Sequence, residues 1–120
     1  MAPLDWNKHW ELNEEPEGAT QFALEMAERL RAFIDEHDVC EVADIGCGPA
    51  STIFELARTY PSLNFHGFDI AKTIITKNQE RAEKEGLCNL FFETDSLLYP
   101  WTSQRLAVKF HSQSLRGPRI

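Results

Sequence analysis

No stretch of this 120-residue chain is apolar over the roughly 20 residues a membrane-spanning helix needs. The N-terminus lacks the basic patch and following apolar run of a secretion signal. Cysteine is scarce: Cys40, Cys47 and Cys88 show no Cys-x-x-Cys spacing, and an odd number cannot all pair. Reduced thiols and a cytoplasmic location are the simplest reading. His9, His37, His66 and His111 are scattered, and no metal-ligand spacing appears, so no metal centre is expected. Acidic residues stop at Asp95. The first hundred residues hold 8 basic and 19 acidic side chains, whereas the last twenty hold 4 basic and no acidic ones. The net charge of −7 disfavours a bulk electrostatic grip on nucleic acid. The basic end, Arg105 to Arg119, reads as a solvated tail rather than a phosphate contact. The length suits one compact domain, and 42% apolar content is ordinary for a globular protein.

What the chain does have is concentrated in residues 40–52, Cys-Glu-Val-Ala-Asp-Ile-Gly-Cys-Gly-Pro-Ala-Ser-Thr. Val42 to Ile45 read as the end of a buried strand. Gly46 and Gly48 allow a sharp bend and a close approach of main chain to a ligand. Pro49 suits a first helical turn, where Ser51 or Thr52 can satisfy amide donors. Ile53, Leu56, Ala57 and Tyr60 then fall on one helical face. The local picture is strand, Gly-x-Gly turn, helix N-terminus. Its amides and helix dipole are expected to face one cleft, which suits a nucleotide-like cofactor.

Spacing separates two cofactor readings. A dinucleotide fingerprint requires Gly-x-Gly-x-x-Gly, and counting from Gly46 the third position is Ser51. Asp44 also stands two residues before Gly46, where its charge would repel a pyrophosphate and favour a cationic ligand without phosphate. Asp44-Ile45-Gly46-Cys47-Gly48-Pro49-Ala50 resembles the first motif of the class I S-adenosylmethionine-dependent methyltransferases, acid-x-Gly-x-Gly-x-Gly, with Ala50 in place of the third glycine. The resemblance covers residues 20–97. It implies an α/β fold, a Rossmann-like parallel sheet with flanking helices. It also implies S-adenosylmethionine as cofactor and methyl transfer to an acceptor that the residues do not identify. Asp44, Gly46, Cys47 and Gly48 would hold the amino-acid end of that cofactor.

In chain order, residues 1–16 form an N-terminal extension. Trp6 and Trp10 would share a helical face there, as an anchor docking the terminus on the core in preference to a lid over the cofactor. Residues 17–37 read as an amphipathic helix with Phe22, Met26, Leu30, Phe33 and Ile34 on its inner stripe. Residues 40–97 would be the cofactor-binding core: a strand over 40–46, a helix to Tyr60 before Pro61, a strand over 63–68, a helix over 71–86 and a strand over 88–93. Ile74, Ile75, Asn78 and Ala82 mark the inner face of the second of these helices, and Gly86 suits its C-terminal cap. Asp69, ending the second strand, is placed to accept hydrogen bonds from ribose hydroxyls, or to cap the next helix. Ile70 could lie against the adenine. The resemblance implies that Asp95, with Ser96 beside it, faces the adenine amino group. Parallel crossovers would bring the glycine turn, Asp69 and Asp95 to the carboxyl edge of the sheet.

Beyond residue 97 the likeness thins. Leu106, Val108 and Phe110 alternate as a weak fourth strand over 105–110, although Lys109 is awkward in a central parallel strand. His111 would then enter the loop where methyl and acceptor meet, the one candidate for a general base; no catalytic residue is assigned. The family's sheet has seven strands and this sequence supplies four at most, so an incomplete seven-strand methyltransferase fold is expected, with an open edge inviting self-association. Two rival readings stand beside a methyltransferase: a cofactor-binding or interaction module without turnover, and a nicotinamide-dependent Rossmann protein.

Overall fold

A computed structural model describes residues 5, 7–8, 21–95 and 105–111. Its elements in order are α1 (Gln21–Glu36), β1 (Val39–Ile45), α2 (Ser51–Thr59), β2 (Asn64–Asp69), α3 (Lys72–Glu85), β3 (Leu90–Thr94) and β4 (Arg105–Phe110). The strands form one sheet in the order β3-β2-β1-β4. β1, β2 and β3 are parallel neighbours, as the alternation of strands and helices requires.

Burial alternates along the strands with a period of two, and the helices cover one face. Val42, Phe65, Leu90 and Phe92 join Ala27, Ile34, Ile53, Phe54, Leu56, Ala57, Ile75 and Ala82 in one core. A bulge between Val39 and Glu41 lets Val39 and Val42 both reach this core, three residues apart. On the opposite face Glu41 lies 3.3 Å from His66 Nε2 and 3.8 Å from Lys109 Nζ.

Two sequence expectations shift. The inner stripe of α1 is rotated: Ala23, Ala27 and Ile34 are buried, Leu30 and Phe33 pack beside the core, and Phe22 is 63% exposed. Small side chains on that stripe let α1 lie close against α2, which hydrophobicity alone does not reveal. The third strand begins at Leu90, two residues later than read. Asn89 is occupied otherwise: its buried side-chain amide donates to the carbonyls of Ala57, Tyr60 and Leu63 at 3.1, 2.9 and 3.0 Å. These are orphan acceptors of the C-terminus of α2 and its following turn.

The fourth strand lies where expected but runs antiparallel to β1. Thr94 pairs with Asp69, and Arg105 with Ile45, so both ends of the connection sit at the carboxyl edge. The ten intervening residues are fewer than the dozen or so that a parallel crossover takes. Antiparallel entry only needs to pass from one side of that edge to the other. Lys109 is therefore no anomaly: it is exposed on an edge strand and pairs with Glu41. His111 falls at the amino edge, its amide bonded to Asp38 O at 2.8 Å, away from the glycine turn.

Gly67 lies in the middle of β2 opposite Phe92 and Asp44. A Cβ there would sit 2.5 Å from Phe92 Cδ1 and Cε1 and 3.1 Å from Cys47 Sγ. Phe92 is itself held by Phe54, with ring centroids 5.5 Å apart. Gly67→Ala is expected to destabilise the fold by about 1–3 kcal/mol through overpacking. Urea denaturation checks this, and an unchanged midpoint would contradict it.

Candidate functional site

The turn after β1 is built from strongly bent backbone. Gly46, Gly48 and Ala50 all have positive φ, at 76°, 52° and 60°. For Ala50 the left-handed conformation costs about 1–2 kcal/mol that glycine would avoid. That accounts for a glycine at the corresponding place in the resembled motif. Ala50 is also the N-cap of α2 and makes no side-chain cap bond, so neither Ser51 nor Thr52 is the cap the sequence suggested.

The bend is tied to β2 rather than left open. Gly46 N and Cys47 N both donate to Phe68 O, at 2.7 and 2.9 Å, and Ala50 N donates to Cys47 O at 2.9 Å. The expectation that the amides of the turn face a ligand is therefore corrected for Gly46 and Cys47, whose donors are used within the sheet edge. Gly48 N donates to Asp69 Oδ2 at 2.9 Å, and Asp69 Oδ1 accepts from Ala71 N, also at 2.9 Å. The N-cap position of α3 is Ala71, so Asp69 bridges the turn to the entry of α3 instead of capping it directly. A carboxylate accepts about four hydrogen bonds. Two of the sites on Asp69 are taken, which leaves capacity for hydroxyl donors from a ligand.

Structure and sequence agree on the edge. Gly46 follows β1, Asp69 ends β2, Ile70 follows it half-buried, and Asp95 follows β3 with its amide donating to Asp69 O at 3.0 Å. Asp44 is fully buried near the end of β1, in register with Gly67 and Leu106. Ser96 lies outside the described residues. The thiol of Cys47 turns into the core, 5% exposed, so this residue offers a ligand main chain only.

Sequence reasoning missed two contributors. Asn78 on α3 is fully buried, and its Nδ2 donates to Gly48 O at 2.8 Å. The legible signal was a polar residue on an otherwise apolar stripe. Asn7 of the N-terminal segment accepts from Thr73 N at 3.1 Å, supplying a cap to the first turn of α3. Trp6 and Trp10, read as an anchor, lie outside the described residues.

The field at the turn is negative. Burial, and then the charges of Asp44 and Asp69, push the Cys47 thiol well above its ordinary pKa. The same carboxylates would oppose a pyrophosphate laid over Gly46–Gly48 and favour a cationic group there. These donors and acceptors suit a nucleoside with a free ribose and a positive charge near the turn. Among the described residues no group of three or more His, Cys, Asp or Glu could hold a metal ion. No helix among them is long and apolar enough to cross a membrane.

Residues 36–106 match the protein family described as "Methyltransferase domain". A 55-residue stretch is 34% identical to a tRNA (guanine-N(7)-)-methyltransferase of Oceanobacillus iheyensis, covering 46% of this chain and 26% of that enzyme. Coclaurine N-methyltransferase, solved with N-methylheliamine and SAH, superposes with a TM-score of 0.56 at 15% identity, over 70% of this chain and 25% of its own. A putative sarcosine dimethylglycine methyltransferase from Galdieria sulphuraria superposes with a TM-score of 0.52 at 18% identity, over 78% of this chain and 40% of its own. At such identities the two structures show a shared fold. The chain spans about a quarter of the curated relative's length.

The three thiols are free, with Cys47 buried, Cys40 half-buried and Cys88 exposed. A disulfide reagent at neutral pH should therefore modify Cys88 in the folded protein and reach Cys47 only on unfolding. Rapid modification of Cys47 without loss of structure would contradict its placement.

Proposed function

Because the chain belongs to the methyltransferase-domain family, we propose that it binds S-adenosylmethionine at the glycine turn and presents its methyl group to an acceptor. One observation carries this reading: a bent, carboxylate-flanked turn whose Gly48 amide is bonded to the very aspartate that ends β2. In this assignment Asp44, Gly46, Cys47 and Gly48 surround the amino-acid end. The remaining acceptor sites of Asp69 take the ribose hydroxyls. Ile70 lies against the adenine, and Asp95 with Ser96 faces its amino group. Asp44 and Asp69 favour the positively charged donor over a diphosphate.

The bound cofactor supplies a methyl group already activated by its sulfonium. Bound there, it would supply that methyl to a nucleophilic atom of the acceptor and depart as S-adenosylhomocysteine. The chain's share is to fix the ribose and adenine so that the methyl faces one direction, where alignment lowers the barrier. The acceptor is unassigned.

A second reading, cofactor binding without turnover, is favoured by the position of His111. With β4 antiparallel, this one candidate for a base stands at the amino edge, and His66 faces Glu41 on the sheet face opposite the core helices. We further propose a cytoplasmic protein, consistent with its free thiols. Self-association would run through β4, an edge strand.

Calorimetry with S-adenosylmethionine, S-adenosylhomocysteine and NAD tests the cofactor. The first two should bind and NAD should not; tight NAD binding alone would overturn the assignment. Asp69→Ala should weaken S-adenosylhomocysteine binding by about 1–3 kcal/mol. Unchanged affinity would remove Asp69 from the site. Methyl transfer to mixed acceptors then separates an enzyme from a binding module.

A further inference from the structure

We propose that Asn78 is a positioning residue for the cofactor site: by holding the Gly48 carbonyl it fixes the conformation of Gly48, whose amide orients the Asp69 carboxylate. This inference rests on the cofactor reading above. Gly48 is gripped by a side chain at each of its polar main-chain atoms. Asp69 Oδ2 accepts from its amide at 2.9 Å, and Asn78 Nδ2 donates to its carbonyl at 2.8 Å. The other anchored amides of the bend, those of Gly46, Cys47 and Ala50, are held by main-chain carbonyls. The Cys47–Gly48 peptide is also held at Cys47 O by Ala50 N, and Cys47 Sγ lies 3.5 Å from Gly48 O, but Asp69 and Asn78 make the two short contacts to the polar atoms of Gly48 itself. Its left-handed φ of 52°, with no Cβ, leaves it free to rotate when one grip is lost.

Packing alone does not call for an amide at this position. Asn78 shares the inner face of α3 with Ile74, Ile75 and Ala82, and it is fully buried. Its Oδ1 has no hydrogen-bond partner among the described residues. A buried acceptor without a donor costs stability that an aliphatic side chain of similar volume would not. The Nδ2 contact to Gly48 is what the amide provides in return. Removing it leaves the Gly48 carbonyl only the longer Cys47 Sγ contact at 3.5 Å. That loosens the Gly48–Pro49 peptide and lets Gly48 rotate at the Cα that this peptide shares with the Cys47–Gly48 amide. The Gly48 amide then leaves Asp69 Oδ2, and the carboxylate loses the orientation in which its remaining lone pairs meet the ribose. Asn78 itself need not touch the cofactor.

Asn78→Leu tests this in two measurements. In the ligand-free protein, hydrogen exchange of the Gly48 amide should accelerate about tenfold or more while the Phe65 amide in β2 is unchanged. By calorimetry, S-adenosylhomocysteine affinity should fall about tenfold, although thermal stability holds or rises. The same substitution in an Asp69→Ala background should change affinity less than about twofold, because the two side chains act through one residue, Gly48. A residue that only supports the fold would weaken both backgrounds alike. Unchanged Gly48 exchange, unchanged affinity, or equal loss in both backgrounds would overturn the proposal. Should Asn78→Leu fail to fold, Asn78→Ala takes its place with the same expectations. Failure of the wild-type protein to bind S-adenosylhomocysteine would overturn the cofactor reading and with it the cofactor role of Asn78. The exchange rates would still decide whether Asn78 holds Gly48.

Discussion

The Gly48 amide and the Asp69 carboxylate, 2.9 Å apart in space and 21 residues apart in sequence, join the exits of two strands. Around that bond the carboxyl edge is assembled. The Phe68 carbonyl takes the amides of Gly46 and Cys47, and the Asp69 main chain takes that of Asp95. The end of β2 thereby fixes the exits of both its parallel neighbours. The sheet delivers three carboxylates and a left-handed turn to one place because strand order and direction leave no alternative. These bonds pre-organise the edge at which a ligand would be recognised.

Charge then selects among ligands that the geometry alone would accept. A dinucleotide site places neutral or positive surroundings at the turn, since its ligand brings a diphosphate. Here a fully buried aspartate precedes the turn and a second one is bonded to it. Burying carboxylates costs free energy unless hydrogen bonds or a cation compensate. The raised pKa of the Cys47 thiol registers the same field from within the core. A sulfonium nucleoside answers both the shape and the charge, and the family match agrees with that choice.

Much of this was legible in the residues. The Gly46–Gly48 turn and Asp69 announce themselves by spacing, Asp95 was marked by the family resemblance, and the apolar stripe of α3 with its Gly86 cap matches the observed helix. What escaped notice depends on contacts distant in sequence. Asn89 works as a cap only because three carbonyls from α2 and its following turn converge on it. Asn78 looked like one more inner-face residue until the turn was folded against it. The direction of β4 could not be read from its alternation, which is the same for either direction. The length of the connection before it was the available clue. The stripe of α1 misled because close helix packing favours Ala23 and Ala27 over the larger Phe22.

The most direct test is a crystal structure grown with S-adenosylmethionine. The nucleoside should lie along the carboxyl edge, its ribose hydroxyls within hydrogen-bonding distance of Asp69 and its charged end beside the Gly46–Gly48 bend. A bend that stays empty at saturating donor, or that prefers the pyrophosphate of NAD, would contradict the account.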